Sequence, residues 1–151
     1  MANIEKSIAV EKPVRTVYDQ WTQFEDFPEF MGGVDKVVQR DDTHLHWVAS
    51  IGPVEREWEA EITEQIPDQA VAWRATDGSQ NAGRVTFRPL AADRTEIVLE
   101  LEFEPQDFIE KAGDALGFVS KRAEADLNRF KQFIEERQEE TGAWRGRVSD
   151  N

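Results

Sequence analysis

The stretch KPVRTVYDQWTQFEDFPEF, residues 12–30, decides the first half of the fold. Pro13 stands at an expected first helical position, where its missing N–H costs no hydrogen bond and its fixed φ suits a helix. From there the apolar residues recur at steps of three and four, which places them on one helical face: Val14, Val17, Tyr18, Trp21 and Phe24. Pro28 ends this pattern inside an apolar corner. The stretch therefore predicts an amphipathic helix that lies on a core.

On either side of this helix the apolar residues follow a period of two, which is typical of strands. Strand-like segments occupy residues 1–10, 34–39, 43–51, 54–62, 69–76, 84–90 and 95–103. The clearest alternation lies in 54–62, where four glutamates take one face and Arg56, Trp58 and Ile62 take the other. A polar loop is expected at 77–83. Half-polar strands in succession indicate an antiparallel sheet with one face in water.

A long helix, from about residue 107 to residue 137, is expected to cover the apolar face of this sheet. Its apolar stripe recurs at steps of three and four: Ala112, Leu116, Val119, Ala123, Leu127, Phe130 and Ile134. Charged residues fill the reverse side. The element order is that of an α+β protein with one domain over residues 1–140. Residues 141–151 follow a Thr-Gly stop and are expected to form a flexible tail.

Composition excludes several classes of protein. The 151 residues suit one domain, and the absence of cysteine excludes disulfides and thiolate metal or redox sites. No apolar run approaches the roughly 20 residues of a membrane span, and the N-terminus lacks a signal peptide's apolar region, so a cytoplasmic protein is expected. With 31 acidic and 18 basic residues the net charge is −13, which argues against a nucleic-acid partner. Neither a P-loop nor a G-x-G-x-x-G motif is present, so no nucleotide cofactor is expected.

Five segments resemble bacterial SRPBCC proteins of the polyketide cyclase/dehydrase type, which belong to the START and birch-pollen-allergen superfamily. They are PVRTVYDQW (13–21), FEDFPEFM (24–31), EREWEAEI (55–62), NAGRVTF (81–87) and ADLNRFKQF (125–133). The resemblance implies a helix-grip fold, in which a curved antiparallel sheet of six to seven strands wraps around the long C-terminal helix. It also implies a cavity between sheet and helix for a small hydrophobic molecule of lipid, polyketide or isoprenoid type.

Three functions follow from the resemblance. The leading one is a non-catalytic carrier or sensor of the hydrophobic ligand. The second is a polyketide aromatase/cyclase-type enzyme, in which Arg56, with Tyr18 or a tryptophan N–H, would stabilise an enolate. The third is a quinone-binding or stress-related interaction protein, because coenzyme-Q-binding relatives share an FPxF-like corner after the first helix.

The candidate ligand-binding residues lie on the inward faces of the strands and of the last helix. Trp47, Trp58 and Trp73 fall on neighbouring strands and suit flat ligands, whereas Trp21 is expected in the core. Arg56 either holds a carboxylate or enolate oxygen inside the cavity or reaches solvent at its strand end, and it is the one catalytic candidate. The set is completed by Phe87, Leu99, Leu101, Leu116 and Val119.

Two histidines raise the question of a metal site. His44 and His46 lie two residues apart and therefore share one strand face. The neighbouring Leu45 and Trp47 take the opposite, more apolar face. The histidines are expected on the solvent face, and with no third ligand evident in the sequence no metal is predicted.

Overall fold

The computed structural model describes residues 2–51, 54–78, 80–104, 115–137 and 140–148. Its helices are α1 (Val14–Trp21), a 3-10 helix (Phe24–Glu29) and α2 (Ala115–Glu136). Its strands are β1 (Ala2–Val10), β2 (Val34–Gln39), β3 (His44–Ile51), β4 (Val54–Ile66), β5 (Ala70–Gly78), β6 (Asn81–Ala91) and β7 (Arg94–Phe103). These seven strands pair antiparallel in the order β1-β7-β6-β5-β4-β3-β2.

The sheet curls into a half-barrel whose concave face is covered by α2, which confirms the predicted helix-grip fold. Register shifts interrupt the β4–β5 ladder at Glu59/Ala60 and at Ile62/Glu64. Such irregularities bend a strand and increase its twist, which suits a sheet that wraps around a helix. Apolar residues of the last helix are buried as predicted: Ala123, Leu127, Phe130 and Ile134. The predicted start of this helix, including Ala112, lies outside the described residues.

The first helix differs from the prediction at both ends. Pro13 has φ −60° and ψ 150° and stands just before the helix, where its carbonyl accepts from the Val17 N–H at 3.1 Å. The helix ends at Trp21, not at Pro28. The Thr22 hydroxyl then donates to the Asp19 carbonyl at 2.5 Å, and the chain continues into the separate 3-10 helix that contains Pro28. Phe24 is therefore buried from the 3-10 helix and not from α1.

An aromatic cluster joins the first helix, the 3-10 helix and α2. The Trp21 ring packs against Phe27, Phe30 and Phe130 at centroid distances of 5.3, 5.8 and 5.1 Å. All four side chains are buried. Aromatic contacts of this kind add stabilisation beyond the area they bury. The apolar corner predicted after the first helix is thus part of the core.

The polar loop predicted at 77–83 is shorter than expected. Strand β5 continues to Gly78, and β6 begins at Asn81. The ladder between them includes the pairs Trp73↔Gly83 and Arg74↔Ala82. Backbone pairing with neighbouring strands therefore outweighs the polar composition of this stretch. Gly78, with φ +87°, adopts the left-handed conformation that favours glycine.

The sequence predicts a flexible tail over residues 141–151. Of these, residues 141–148 are described and, with residue 140, lie against α1 and β4, while 149–151 lie outside the described residues. The Thr141 N–H donates to Gln20 Oε1 at 2.9 Å. Further along, Gln65 and Val148 exchange backbone hydrogen bonds of 2.7 and 2.9 Å. The guanidinium of Arg145 joins this segment to two carboxylates, as discussed below. In the part of the chain that the structure describes, no helix has the length and apolar character needed to cross a membrane.

Candidate functional site

A cavity of about 170 Å³ lies between the concave face of the sheet and α2. Residues of β3, β4, β5 and β7 line it on one side and residues of α2 on the other. Pockets for drug-sized ligands have volumes of roughly 300–1,000 Å³, whereas a cavity of about 150 Å³ holds benzene. The volume therefore suits a molecule of one ring or two fused rings.

Three tryptophans from adjacent strands form one continuous surface of the cavity, here called the tryptophan wall (Trp47, Trp58 and Trp73). Trp47 and Trp58 are direct cross-strand partners, and their rings stack with an interplanar angle of 9° and centroids 5.8 Å apart. Trp47 also stacks on Trp73 at 23° and 5.9 Å. In such a stack part of each ring face lies against the neighbouring ring, and the wall adds apolar ring surface to the cavity.

Other predicted binding residues have different outcomes. Leu99 and Leu101 of β7 and Val119 of α2 line the cavity. Phe87 does not line it in the described part of the chain. Its ring packs edge-on against Tyr18 at 5.5 Å. Leu116 belongs to the first turn of α2, where the side chain lies outside what the structure describes. Trp21, expected in the core, is 1% exposed and also reaches the cavity.

Of the residues proposed for enolate stabilisation, Arg56 and Tyr18 do not line the cavity in the described part of the chain, whereas the tryptophans do. Arg56 is half-buried and pairs in register with Ala49, which itself lines the cavity. The Tyr18 ring is buried against Phe87. Burial raises the pKa of the Tyr18 hydroxyl to about 12, although the nearby side chain of Gln65 and the charge of Arg145 oppose this rise. A hydroxyl with that pKa is poorly matched to proton transfer at neutral pH.

Charged residues of α2 reach the cavity, although the apolar stripe of this helix did not predict them there. Arg122 and Asp126, one helical turn apart, both line it. The spacing is compatible with this placement but does not by itself predict it, since Arg122 and Asp126 follow Val119 by three and seven residues. Residues at these steps share the face of the apolar stripe. We call Arg122, Asp126 and the neighbouring Arg129 the charged end of the cavity.

The charged end is assembled around the backbone of Gly32. A Cβ atom on Gly32 would lie 2.9 Å from Arg129 Nη1 and 3.0 Å from Arg122 Nη1, so two guanidinium groups converge where this residue has no side chain. The Gly32 N–H donates to Asp126 Oδ1 at 3.0 Å, and Arg129 Nη1 donates to the same oxygen at 2.6 Å. Burial raises the pKa of Asp126, and these donors and the charge of Arg122 oppose the rise.

The histidines lie on the outer face of the sheet, as predicted. His44 contacts Asp41, with Nδ1 2.9 Å from Oδ1. His46 lies between two glutamates of β4, 3.0 Å from Glu57 and 3.1 Å from Glu59. The described residues contain no group of three or more histidine, cysteine or acidic side chains arranged to hold a metal ion. This surface is a network of cross-strand polar contacts.

The sequence of this chain matches a known protein family. The family model described as polyketide cyclase/dehydrase and lipid transport matches residues 10–132. An uncharacterised 17.2 kDa protein from the melC2–rnhH intergenic region of Streptomyces lincolnensis is 54% identical over 149 residues, covering 98% of this chain and 99% of that protein.

Solved structures show the same fold at low sequence identity. A START superfamily protein from Mycobacterium smegmatis superposes with a TM-score of 0.74 at 14% identity, over 89% of this chain and 97% of the other. The ZhuI aromatase/cyclase from Streptomyces sp. R1128 superposes with a TM-score of 0.73 at 17% identity, over 95% of this chain and 99% of the other. Likeness at these identities shows the fold alone.

Proposed function

Because the chain belongs to the polyketide cyclase/dehydrase and lipid transport family, we propose that it binds a small hydrophobic ligand in the cavity under α2 and carries or senses that ligand without chemical change. The observation that carries this proposal is the tryptophan wall, a stack of three buried indoles that lines a cavity of about 170 Å³. All three tryptophans of the wall are buried inside the fold.

Burial of apolar ligand surface supplies the affinity in this proposal. Each 100 Å² of apolar ligand surface removed from water contributes about 2.5 kcal/mol. A ligand of one or two rings then binds with a Kd of roughly millimolar to micromolar, because lost translational and rotational freedom offsets part of the gain. Such affinities suit a carrier or sensor that must also release its ligand.

The described lining holds only part of the residue set that the enzyme alternative uses. The enzyme alternative uses Arg56 with Tyr18 or a tryptophan N–H against an enolate. Neither Arg56 nor Tyr18 is among the described residues that line the cavity, whereas Trp47, Trp58 and Trp73 are. The corner that suggested a quinone protein is buried, with Phe27 0% and Phe30 1% exposed. The aromatic side chains of that corner pack in the core, whereas Glu29 between them is exposed.

Filling the cavity tests the proposal. Ala123 of α2 is 4% exposed and lines the cavity, so Ala123→Leu places three further carbon atoms in the ligand's space. We expect the affinity for prodan, a neutral two-ring solvatochromic probe, to fall about tenfold or more. The variant should lose little stability, because the leucine fills a void. The matched control is Ala125→Leu, the same substitution on the same helix at a half-buried residue outside the described lining. Parent-like prodan affinity in the Ala123→Leu variant would show that the probe does not bind in this cavity.

A separate measurement tests whether the bound ligand stays chemically unchanged. Native mass spectrometry of the protein as purified shows whether a small molecule accompanies it, and the mass of that molecule before and after prolonged incubation shows whether it is altered. A carrier returns the same mass. A mass change that depends on the folded protein would support the enzyme alternative instead.

A further inference from the structure

The charged end determines which ligand charge the cavity accepts. Resting on the proposed function, we propose that the ligand is an uncharged molecule, and that Asp126 sets this preference by balancing the two arginines beside it. Asp126 is thereby a specificity-determining residue. Hydrophobic acids and hydrophobic amines are then poor ligands, whereas alcohols, ketones and amides of the same size are accepted.

The cavity offers no cation that is free to pair with an anionic ligand in the part of the lining that the structure describes. That lining contains one arginine, Arg122, and two acids, Asp126 and Glu102. The Arg122 guanidinium extends to Gly32, where a Cβ atom would lie 3.0 Å from Nη1, and its charge already acts on Asp126. A buried anion without a close cationic partner costs free energy. A hydrophobic acid would therefore lose hydration without gaining an ion pair of its own.

A cationic ligand is disfavoured as well, because the Asp126 carboxylate is already engaged. Its Oδ1 accepts from the Gly32 N–H at 3.0 Å and from Arg129 Nη1 at 2.6 Å. The Asp126 side chain is only 15% exposed, so water screens the two neighbouring arginines weakly. Their positive charges repel a cation that approaches Asp126. Glu102, the second acid, is exposed, and an exposed carboxylate attracts a cation only weakly.

The charges of these four residues balance. Arg122 and Arg129 are positive at neutral pH, whereas Asp126 and Glu102 are negative. A charged ligand needs an excess of the opposite charge at the cavity, and the four residues together provide none. Removal of the Asp126 charge leaves one positive charge in excess, and removal of the Arg129 charge leaves one negative charge in excess. The two changes should therefore shift the ligand preference in opposite directions.

Three ligands of nearly the same shape test the inference by calorimetry. 2-Naphthamide, 2-naphthoate and 2-naphthamidine are neutral, anionic and cationic at neutral pH. We expect the parent protein to bind the amide about tenfold more tightly than either ion. In Asp126→Asn the affinity for the naphthoate relative to the amide should rise about tenfold, because asparagine keeps the acceptor oxygen and removes the negative charge.

Two further variants check the sign and the location of the effect. Arg129→Met removes a positive charge from a residue outside the described lining, and it should raise the affinity for the naphthamidine relative to the amide about threefold or more. Glu124→Gln is the control. It changes the charge as Asp126→Asn does and on the same helix, but the Glu124 side chain is 64% exposed and pairs with Lys6. It should leave the relative affinities of the three ligands as in the parent.

The outcomes separate this inference from the proposed function. Equal affinities of the parent for the amide and for either ion would overturn the uncharged class and leave the hydrophobic-ligand proposal standing. A parent-like preference in Asp126→Asn would show that Asp126 does not set the selectivity. Failure of all three naphthalene ligands and of prodan to bind the parent would refute the cavity function as well. If Asp126→Asn does not fold, Arg129→Met tests the same balance with Asp126 in place, and an unchanged preference there overturns it.

Discussion

Replacing Arg145 by glutamine probes how residues 140–148 are held to the fold. Arg145 Nη1 lies 2.5 Å from Asp19 Oδ1, and Nη2 lies 2.9 Å from Asp68 Oδ2. The guanidinium also stands 5.5 Å from the centre of the Tyr18 ring. The Asp19 side chain is only 2% exposed. The variant therefore takes the closest cation away from a buried carboxylate.

The size of the effect follows from burial. Removing one partner of a fully buried ion pair costs about 3–5 kcal/mol. Two features reduce this figure here. The Arg145 side chain is 27% exposed, so water reaches the vacated space, and Arg15 Nε lies 3.8 Å from Asp19 Oδ2. We expect Arg145→Gln to lower the free energy of unfolding by about 2–4 kcal/mol near neutral pH.

The deficit should depend on pH in a defined direction. Burial raises the pKa of Asp19, and the hydrogen bond and charge of Arg145 oppose that rise. A carboxyl whose pKa is higher in the folded protein than in the unfolded chain contributes stability below its unfolded pKa and loses it as the pH rises through the folded pKa. Without Arg145 the folded pKa of Asp19 rises further. The deficit of the variant relative to the parent should therefore shrink as the pH falls towards about 4, the ordinary pKa of aspartate.

Urea unfolding followed by tryptophan fluorescence, at several pH values between about 4 and 7, measures this deficit. Arg147→Gln is the control, because it removes the same charge from an exposed residue of the same segment and should change stability by less than about 0.5 kcal/mol. A deficit for Arg145→Gln below about 1 kcal/mol, or one that stays constant over this pH range, would refute the argument that Arg145 compensates a buried charge.

Two further substitutions test the wall of the cavity. Trp58→Ala should weaken prodan binding whereas Glu57→Ala should not, because neighbouring residues of a strand point to opposite faces. Trp58→Ala should also lower the free energy of unfolding by about 3–5 kcal/mol, so binding is measured under conditions where the variant remains folded. Equal effects of the two substitutions would show that the strand register is misassigned. Gly83→Ala places a Cβ 2.5 Å from Trp73 Cζ2. We expect urea unfolding to show a free energy of unfolding lower by about 1–3 kcal/mol, and we expect an altered near-UV circular dichroism spectrum. Parent-like values of both would contradict the close packing.

The sheet was predictable because its pattern is local. In β4 the alternation of glutamates with Trp58, Ala60 and Ile62 fixes which face is buried, and the structure buries all three apolar residues. Period-two patterning needs no knowledge of distant residues. The curved sheet wrapped around a long helix then followed from the resemblance to known proteins.

The errors lie where distant residues decide the local structure. The end of α1 at Trp21 depends on Thr22, whose hydroxyl accepts from the Trp144 N–H across 122 residues of sequence. The contacts of residues 140–148 depend on side chains as remote as Asp19. Long-range partners of this kind leave no periodic signal in the sequence, so the segment looked like a tail.

The site divides in the same way. The tryptophan wall was predictable, because Trp47, Trp58 and Trp73 belong to the inward faces of their strands. The charged end was missed, because Arg122 and Asp126 lie at the margin of the apolar stripe on α2, and polar residues there face either solvent or cavity according to how the helix rolls on the sheet. Residue spacing shows which residues form the apolar stripe, but it does not show how the helix is rotated about its axis against the sheet.

The first helix links the stability of residues 140–148 to the cavity. Asp19 holds Arg145 from one side of α1, while Trp21, two residues later, lines the cavity. A ligand that binds only the folded protein at a concentration of 100 times its Kd stabilises it by about 2.7 kcal/mol. This is comparable with the expected cost of Arg145→Gln. A cavity ligand should therefore restore much of the lost stability in that variant, unless displacement of α1 has also moved Trp21 and weakened binding. Comparing ligand-induced stabilisation in the parent and the variant distinguishes a local effect on the ion pair from a shift of the whole helix.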